Sequence, residues 1–232
     1  MKLSIIIPAH NEEDNIAEVV RKVESTVSID HELVVVNDHS MDRTEEIVLG
    51  LMPQYGNLRL VSNRRPGCFA NAVRAGFENA SGDVLIPVMG DLCDDLETIP
   101  LLWEKINAGF DVACGSRYME NGERLGGPKL KGSLSRFAGR SLHVLLGIPT
   151  HDIANAFKMY RRSVIEKIDI KTKGFDISME ITLKAFFLGS KIAEVPTVWR
   201  ERTKGKSSFS VCKLLPGYVK LYAWALLRKM TG

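Results

Sequence analysis

The chain has 232 residues and a hydrophobic content of 45%, which is enough to bury the core of one full domain. It holds no apolar run of about 18 residues or more, which argues against a membrane-spanning helix, and its first residues are typical of a core strand rather than a signal peptide. The formal net charge of +3 hides a basic segment: residues 196–232 carry eight Lys or Arg and one acid, which indicates an anionic partner.

The first predicted strand ends in an acidic turn. The apolar run from Leu3 to Ile7 is short and rich in Ile, which is typical of a strand covered on both faces. After Pro8, Asn11 is predicted to cap a helix whose first turn carries the acidic residues 12–14. A nucleotide-binding fold usually has Gly at this turn, so that a pyrophosphate can bind bare helix N–H groups. Because acid repels a pyrophosphate, a nucleotide bound here should present its base and ribose to the turn.

Strands and helices then alternate as far as residue 115. Further buried strands are predicted at 32–38, 58–61, 83–89 and 111–114. The helices between them are predicted at 43–52, 68–79 and 100–108. This alternation indicates an α/β fold with a mostly parallel central sheet and helices on both faces.

The alternation loosens beyond Gly115. Residues 116–132 are predicted to form a Gly- and Lys-rich loop that is long enough to be functional. The later elements are a helix at 133–146 ended by Gly147, a strand at 156–160, a helix at 176–188 and a strand at 192–199. Segment 213–230 has a wide apolar face but is too short and too charged to span a bilayer. It is predicted to be an interfacial helix, and a terminal helix packed on the core is the alternative.

Three acidic clusters follow predicted strands. They are residues 12–14, Asp38, and Asp91 with Asp94 and Asp95. Because ligands of open α/β sheets bind outside the carboxyl ends of the strands, the clusters predict a polar site at one edge of the sheet. Carboxylates after Asp91 could hold a divalent cation that bridges a diphosphate.

Six motifs of the chain occur in an order that resembles one family. They are SIIIPAHNEEDNI, ELVVVNDHSMDRT, GCFANAVRAGFENASGDVLIPVMGDLCDD, CGSRY, THDIANAFKMYRR and WRERTKGKSSF. The same order is found in family 2 glycosyltransferases. Within that family the chain most resembles the polyprenyl-phosphate sugar transferases of the dolichyl-phosphate mannose synthase type, from Leu3 to about Tyr222.

The resemblance implies a single nucleotide-diphosphosugar transferase domain of the GT-A type over residues 1–232. Residues 1–115 would bind the nucleotide sugar, residues 116–211 the acceptor, and residues 212–232 would form the amphipathic helix. The implied reaction moves one sugar, mannose or glucose, from GDP or UDP to a polyprenyl phosphate with inversion, using Mg²⁺ or Mn²⁺. The implied location is cytoplasmic and peripheral on the inner face of the membrane. The four cysteines, which form no close pair, agree with reduced thiols.

Carried over by position, the resemblance implies a set of nucleotide-sugar contacts in the first half of the chain. They are Pro8, Ala9, His10, Glu12, Asp38, Asn71 and Asp91. His10 stands where the family often has Tyr, and a ring there could stack on a base. The alternative, that His10 is a plain turn residue, stays open.

Met89-Gly90-Asp91 departs from the Asp-x-Asp metal motif of the family. A thioether is no ligand for a hard cation, so Asp91 alone remains of the usual acidic pair. The expected metal ligands are Asp91 and Asp94, with Asp95 as another source of charge. A single carboxylate together with the donor phosphates is the alternative for Mg²⁺.

The motifs of the acceptor side are basic. The resemblance implies that the acceptor phosphate is bound by Arg117, Lys131, Arg202 and Ser207, and that Asp91, Arg117 and Arg202 carry the catalysis. The planar fork of Arg suits a phosphate, whereas Lys131, which stands where relatives often carry Arg, keeps the charge and loses the fork. Asp152 and Glu180 are acids in apolar surroundings, and either could hold a basic loop without touching substrate.

Two rival functions stay open. A sugar transferase with a hydroxyl acceptor would need a general base, for which Asp94 or Asp95 is the candidate. A degenerate, non-catalytic protein that binds a nucleotide sugar or a lipid phosphate would explain Met89. The missing GxGxxG argues against a Rossmann oxidoreductase, and no motif supports binding of nucleic acid.

Overall fold

The computed structural model describes residues 1–202 and 211–231. The strands are β1 (Leu3–Ala9), β2 (His31–Asn37), β3 (Leu58–Ser62), β4 (Val84–Pro87), β5 (Val112–Ser116), β6 (Glu123–Leu125), β7 (Lys158–Arg161), β8 (Ile192–Pro196) and β9 (Val198–Arg200). The helices are α1 (Ile16–Thr26), α2 (Thr44–Leu51), α3 (Phe69–Asn79), α4 (Ile99–Asn107), α5 (Lys129–Leu146), α6 (Arg162–Ile165), α7 (Ile177–Phe187) and α8 (Val211–Thr231). A short 3₁₀ helix, Leu96–Thr98, precedes α4.

The central sheet has the strand order β3-β2-β1-β4-β7-β5-β8. β1 pairs in parallel with β2 and β4, β2 with β3, and β5 with β8. β7 alone runs antiparallel, between β4 and β5. The prediction of an α/β fold with a mostly parallel sheet is therefore confirmed. Because β7 and β8 lie beyond residue 116, both halves of the chain build the same sheet.

The sheet is buried on both faces, as the Ile-rich first strand predicts. Ile6 packs in one apolar cluster with residues of α3 and α7, whereas Ile5 and Ile7 pack in a second cluster with residues of α1 and α4. This division follows from the two-residue period of a strand. Gly76 allows α3 to lie close to the first face of the sheet, since a Cβ at this position would come within 2.2 Å of Ile6 Cγ2.

The first helix starts later than predicted. Asn11 has a left-handed backbone, with φ of 53°, and its side-chain oxygen accepts a hydrogen bond from the Met41 N–H at 2.8 Å. It therefore holds the next loop instead of capping a helix, and α1 begins at Ile16. The acidic residues 12–14 lie in a turn before the helix, at the edge of the sheet where the site was expected.

The second half of the chain departs from the prediction in two places. Residues 116–132 are not a loop throughout, because they contain β6 and because α5 begins at Lys129 rather than at 133. Pro128 directly precedes α5, a position at which Pro is compatible with a helix start. The strand predicted at 192–199 is two strands, since β8 joins the central sheet and β9 pairs with β6. Gly147, with φ of 76°, ends α5 as predicted.

α8 has one packed face and one exposed face. Ala225 is fully buried, and the Tyr222 hydroxyl donates to Ser141 Oγ on α5 at 2.9 Å. Leu227 and Met230 are exposed, so the helix packs on the core and still presents apolar side chains to its surroundings. Across the described residues, no helix combines the length and the apolar content needed to cross a bilayer.

Candidate active site

The carboxyl ends of three neighbouring strands form the first wall of the site. His10 follows β1, and its Nδ1–H donates to the Asp38 carbonyl oxygen at 2.6 Å. The Asp38 carboxylate follows β2, is buried, and accepts a hydrogen bond from Asn63 Nδ2 at 2.6 Å. Asn63 follows β3 and was not expected from the sequence. The His10 side chain is exposed, so its ring face is accessible to a ligand.

Pro8, Ala9 and Asn71 are the other residues expected at this wall. Pro8 and Ala9 end β1, with Ala9 buried and Pro8 half-buried, so they shape the crevice mainly through the backbone. Asn71 lies in the first turn of α3, where its Nδ2 donates to the Pro66 carbonyl at 2.8 Å and its Oδ1 accepts from Arg74 at 2.8 Å. Asn71 therefore fixes the loop that follows β3.

Glu12 and Asp91 meet Arg202 between the two halves of the chain. Arg202 Nη2 donates to both Glu12 carboxylate oxygens, at 3.1 and 2.8 Å, and Nη1 lies 3.9 Å from Asp91 Oδ2. Burial raises the pKa of Glu12, against the opposing effects of Asn15 and Arg202. Three residues expected to bind donor, metal and acceptor thus form one ionic cluster.

The Asp94 carboxylate is buried and is partly engaged by the backbone. Its Oδ2 accepts the Met89 backbone N–H at 3.0 Å, and burial raises the pKa of Asp94 to about 7. Across residues 1–202 and 211–231, no three His, Cys, Asp or Glu side chains form a metal cluster. Mg²⁺ is commonly held by one or two carboxylates plus substrate phosphates and waters. Asp91 fits such a single-carboxylate site, and Asp94 keeps its second carboxylate oxygen, Oδ1, outside the hydrogen bonds of the described residues.

Arg117 is held rigidly by Asp152. Its Nε and Nη2 donate to the two Asp152 carboxylate oxygens at 2.6 and 2.8 Å, and its backbone N–H donates at 3.1 Å. Asp152 is fully buried and Arg117 nearly so. Arg117 Nη2 also lies 3.3 Å from Ser135 Oγ. One edge of the guanidinium fork is thus engaged by the protein, whereas Nη1 makes no hydrogen bond among the described residues.

Lys131 lies in the first turn of α5, among other cations. Burial lowers the pKa of Lys131 to about 8, and Arg117 and Arg124 lower it further, while Asp91 and Cys93 oppose the change. Lys131 is therefore close enough to both Arg117 and Asp91 to interact electrostatically with each. The structure brings these predicted acceptor and metal residues to one region.

Ser135 is a site residue that sequence reasoning missed. It lies four positions after Lys131 on α5, and residues at this spacing share a helix face. The sequence predicts a loop at Lys131, and in a loop the four-residue spacing to Ser135 has no structural meaning. Glu180 does not enter the site, because its carboxylate accepts the N–H groups of Lys171 and Thr172. Ser207 lies outside the described residues.

Solved structures with the same fold include glucosyl-3-phosphoglycerate synthase from Mycobacterium tuberculosis. In complex with Mn²⁺, UDP-glucose and phosphoglyceric acid it matches 100% of this chain and 80% of its own, with a TM-score of 0.74 and 20% identity. In complex with Mg²⁺ and UDP it matches with a TM-score of 0.72 and 19% identity, over 98% of this chain and 79% of its own. At these identities the likeness shows the fold alone.

Comparison of sequences shows the family. A protein named dolichol-phosphate mannosyltransferase from Pyrococcus furiosus is 32% identical over 97% of this chain, which spans 64% of that protein's length. A polyprenol monophosphomannose synthase from Mycolicibacterium smegmatis is 30% identical over 96% of this chain and 86% of its own length. The family model described as glycosyl transferase family 2 matches residues 4–169. The glycosyltransferase expected from the motifs is thereby confirmed, and the chain belongs to glycosyl transferase family 2.

Proposed function

We propose that the protein transfers one sugar from a nucleotide-diphosphate donor to a polyprenyl phosphate, with inversion at the anomeric carbon. The observation that carries the proposal is a cluster of cations, here called the acceptor pocket, in which Asp152 fixes Arg117 beside Ser135 and near Lys131. A phosphate monoester is the ligand that such a pocket suits, because it offers charge and several acceptor oxygens. The names of the two relatives point to the same acceptor class.

The chemistry needs no catalytic base. The second pKa of a phosphate monoester is about 6, so the acceptor oxygen is largely ionised at neutral pH. That oxygen forms the new bond to the anomeric carbon while the bond from this carbon to the donor diphosphate breaks, and the nucleoside diphosphate leaves with the electron pair. Arg117 and Lys131 align the acceptor, and Arg202 lies near Asp91, where charge develops on the leaving group.

His10, Asp38 and Glu12 would hold the base and ribose of the donor. The crevice that they line carries acid rather than the bare N–H groups of a pyrophosphate site, so the diphosphate extends toward Asp91. Asp91 would hold a divalent cation, which supplies positive charge to the donor diphosphate when bound. Structural neighbours crystallised with Mn²⁺ or Mg²⁺ support the use of a divalent ion.

A hydroxyl acceptor is the second candidate, and the raised pKa of Asp94 favours it. A carboxylate with a pKa of about 7, produced by burial, is suited to general-base catalysis. Its geometry argues against that role, because the Asp94 carboxylate is buried and accepts the Met89 N–H. The phosphate acceptor is therefore preferred.

The exposed faces of α5 and α8 support binding to the cytoplasmic membrane surface. The exposed apolar side chains of α5 recur at helical spacing; they are Leu130, Leu134, Phe137, Val144 and Leu145. Those of α8 are Leu215, Val219, Leu227 and Met230. Exposed basic residues flank them, at Arg136, Arg140, Lys220, Arg228 and Lys229. Apolar stripes with flanking cations suit an interface with anionic lipid, and α5 also carries the acceptor residues Lys131 and Ser135.

Transfer is tested by incubating the protein with radiolabelled GDP- and UDP-sugars and a polyprenyl phosphate, followed by solvent extraction. We expect label from one donor in the lipid phase, and NMR of the product gives the anomeric configuration. Equal transfer to a soluble alcohol would favour the hydroxyl acceptor. No transfer from any donor would contradict the proposal.

A further inference from the structure

A fully buried lysine lies behind the acceptor pocket. Lys158 is on β7 with 0% of its surface exposed, and its Nζ donates to the Ile153 carbonyl at 2.7 Å and to Thr182 Oγ1 at 3.0 Å. The Thr182 hydroxyl in turn donates to the Ser178 carbonyl on α7 at 2.7 Å. Burying an amine costs free energy unless it is hydrogen-bonded, so an apolar side chain would be the simpler choice for this strand.

The partners of Lys158 lead to Arg117. Ile153 directly follows Asp152 in a turn of residues 150–155, here called the Asp152 turn. Lys158 binds the Ile153 carbonyl of this turn, while the preceding residue, Asp152, binds Arg117. The turn has no regular secondary structure, so its position depends on side-chain contacts such as these.

The protonation state of the lysine does not change this geometry. Burial lowers the pKa of Lys158, while Cys114 and Asp152 oppose the change. A neutral amine has two N–H groups and an ammonium has three, so either form can donate to both acceptors.

We propose that Lys158 is a positioning residue for the acceptor phosphate, because it fixes the Asp152 turn and thereby holds Arg117 in the orientation that faces the ligand. The inference rests on the proposed function for the identity of that ligand. It makes β7, the one antiparallel strand of the central sheet, a support of the pocket rather than only a part of the core.

A purely structural role for Lys158 makes a different prediction. If the lysine only satisfied the Ile153 carbonyl, its loss would lower stability and leave the folded pocket unchanged. A second contact also holds the Asp152 turn, since Asn155 Nδ2 donates to the Gly115 carbonyl at 2.8 Å. The decisive readout is therefore the orientation of Arg117 in folded protein.

The test compares Lys158→Met, which keeps an unbranched side chain of similar length and removes both hydrogen bonds of the amine, with Lys158→Arg and with Tyr160→Phe. Tyr160 is the matched control because it lies on the same strand and is buried to the same degree, and because its hydroxyl lies close to Thr182 without making a hydrogen bond of standard geometry among the described residues. We expect Lys158→Met to raise the Michaelis constant for polyprenyl phosphate about ten-fold or more, with an unchanged donor dissociation constant. Lys158→Arg should restore part of the loss, and Tyr160→Phe should match the wild type.

A second readout needs no substrate. The Arg117 Nε–H, held by Asp152 at 2.6 Å, should exchange slowly with solvent in ¹H–¹⁵N spectra, and its signal is assigned by its loss in Arg117→Lys. Lys158→Met should speed this exchange about ten-fold, and Tyr160→Phe should not. If the wild type transfers no sugar to polyprenyl phosphate, the proposed function fails and the exchange rate alone decides the role of Lys158.

The inference would be overturned if Lys158→Met folds, exchanges the Arg117 Nε–H at the wild-type rate, and has the wild-type Michaelis constant for polyprenyl phosphate. If Lys158→Met does not fold, Thr182→Val replaces it, because this change removes one of the two acceptors of the amine and keeps the side-chain shape. A smaller effect in the same direction on both readouts is then expected. Wild-type values in folded Thr182→Val would overturn the inference equally.

Discussion

Asp152→Asn should destabilise the protein strongly and weaken the proposed acceptor site. Asp152 is fully buried and accepts hydrogen bonds from Arg117 at 2.6, 2.8 and 3.1 Å. Asparagine keeps the shape but removes the charge and one acceptor, so the nearly buried guanidinium loses its counter-ion. Breaking a buried ion pair by removing one partner costs about 3–5 kcal/mol, a large part of the roughly 5–15 kcal/mol that stabilise a typical domain.

The measurement pairs urea unfolding with acceptor kinetics. The matched control is Glu78→Gln, since Glu78 accepts two hydrogen bonds from Arg65, at 2.7 and 2.9 Å, and both side chains are exposed. Pairs of this kind contribute about 0–1 kcal/mol, so the control should lose little stability and keep the wild-type acceptor Michaelis constant. A loss below about 1 kcal/mol in Asp152→Asn, with unchanged acceptor kinetics, would refute the reasoning.

Four further outcomes are expected. Asp91→Asn should abolish transfer and the response to added Mg²⁺ or Mn²⁺ while leaving the unfolding curve unchanged. Met89→Asp should tighten metal binding, which is measured by titrating the transfer rate with metal. If the wild type is inert and Met89→Asp activates it, the protein is a degenerate binder. Because burial lowers the pKa of Lys131 to about 8, its charge is present below that pH and lost above it, so the acceptor Michaelis constant should rise above about pH 8 in the wild type and stay level in Lys131→Arg. Phe137→Glu should reduce flotation with anionic vesicles, whereas the equally charged Leu49→Glu, at an exposed position on α2, should not.

Local patterns in the sequence predict which strand ends carry the acidic residues of this site. The acidic turn after the first strand and Asp91 each follow an apolar run, and the parallel sheet brings such strand ends to one edge. The direction of β7 could not be read in this way, because a short strand has the same two-residue period whichever way it runs. The sequence places the start of α5 too late because Gly and Lys near residue 130 are typical of loops. Pro128, which directly precedes the helix, is the local signal that marks its true start.

Contacts between distant residues escape local reasoning. Arg117 and Asp152 are 35 positions apart, and Arg202 and Glu12 are 190 apart, so no spacing rule relates either pair. The sequence suggested that Asp152 could hold a basic loop, and the structure gives it Arg117 as a partner. The sequence around Lys158 does not indicate its role, because the amine is paired with a backbone carbonyl and a hydroxyl from other parts of the chain.

The charges of the pocket favour binding of the substrate over the product in the proposed reaction. Asp152 already balances most of the charge of Arg117, and Glu12 does the same for Arg202, so the attraction for a phosphate depends strongly on Lys131. A phosphate monoester carries about −1.5 to −2 charges at neutral pH, whereas the sugar phosphodiester that it becomes carries about −1. The electrostatic attraction therefore falls once the new bond has formed.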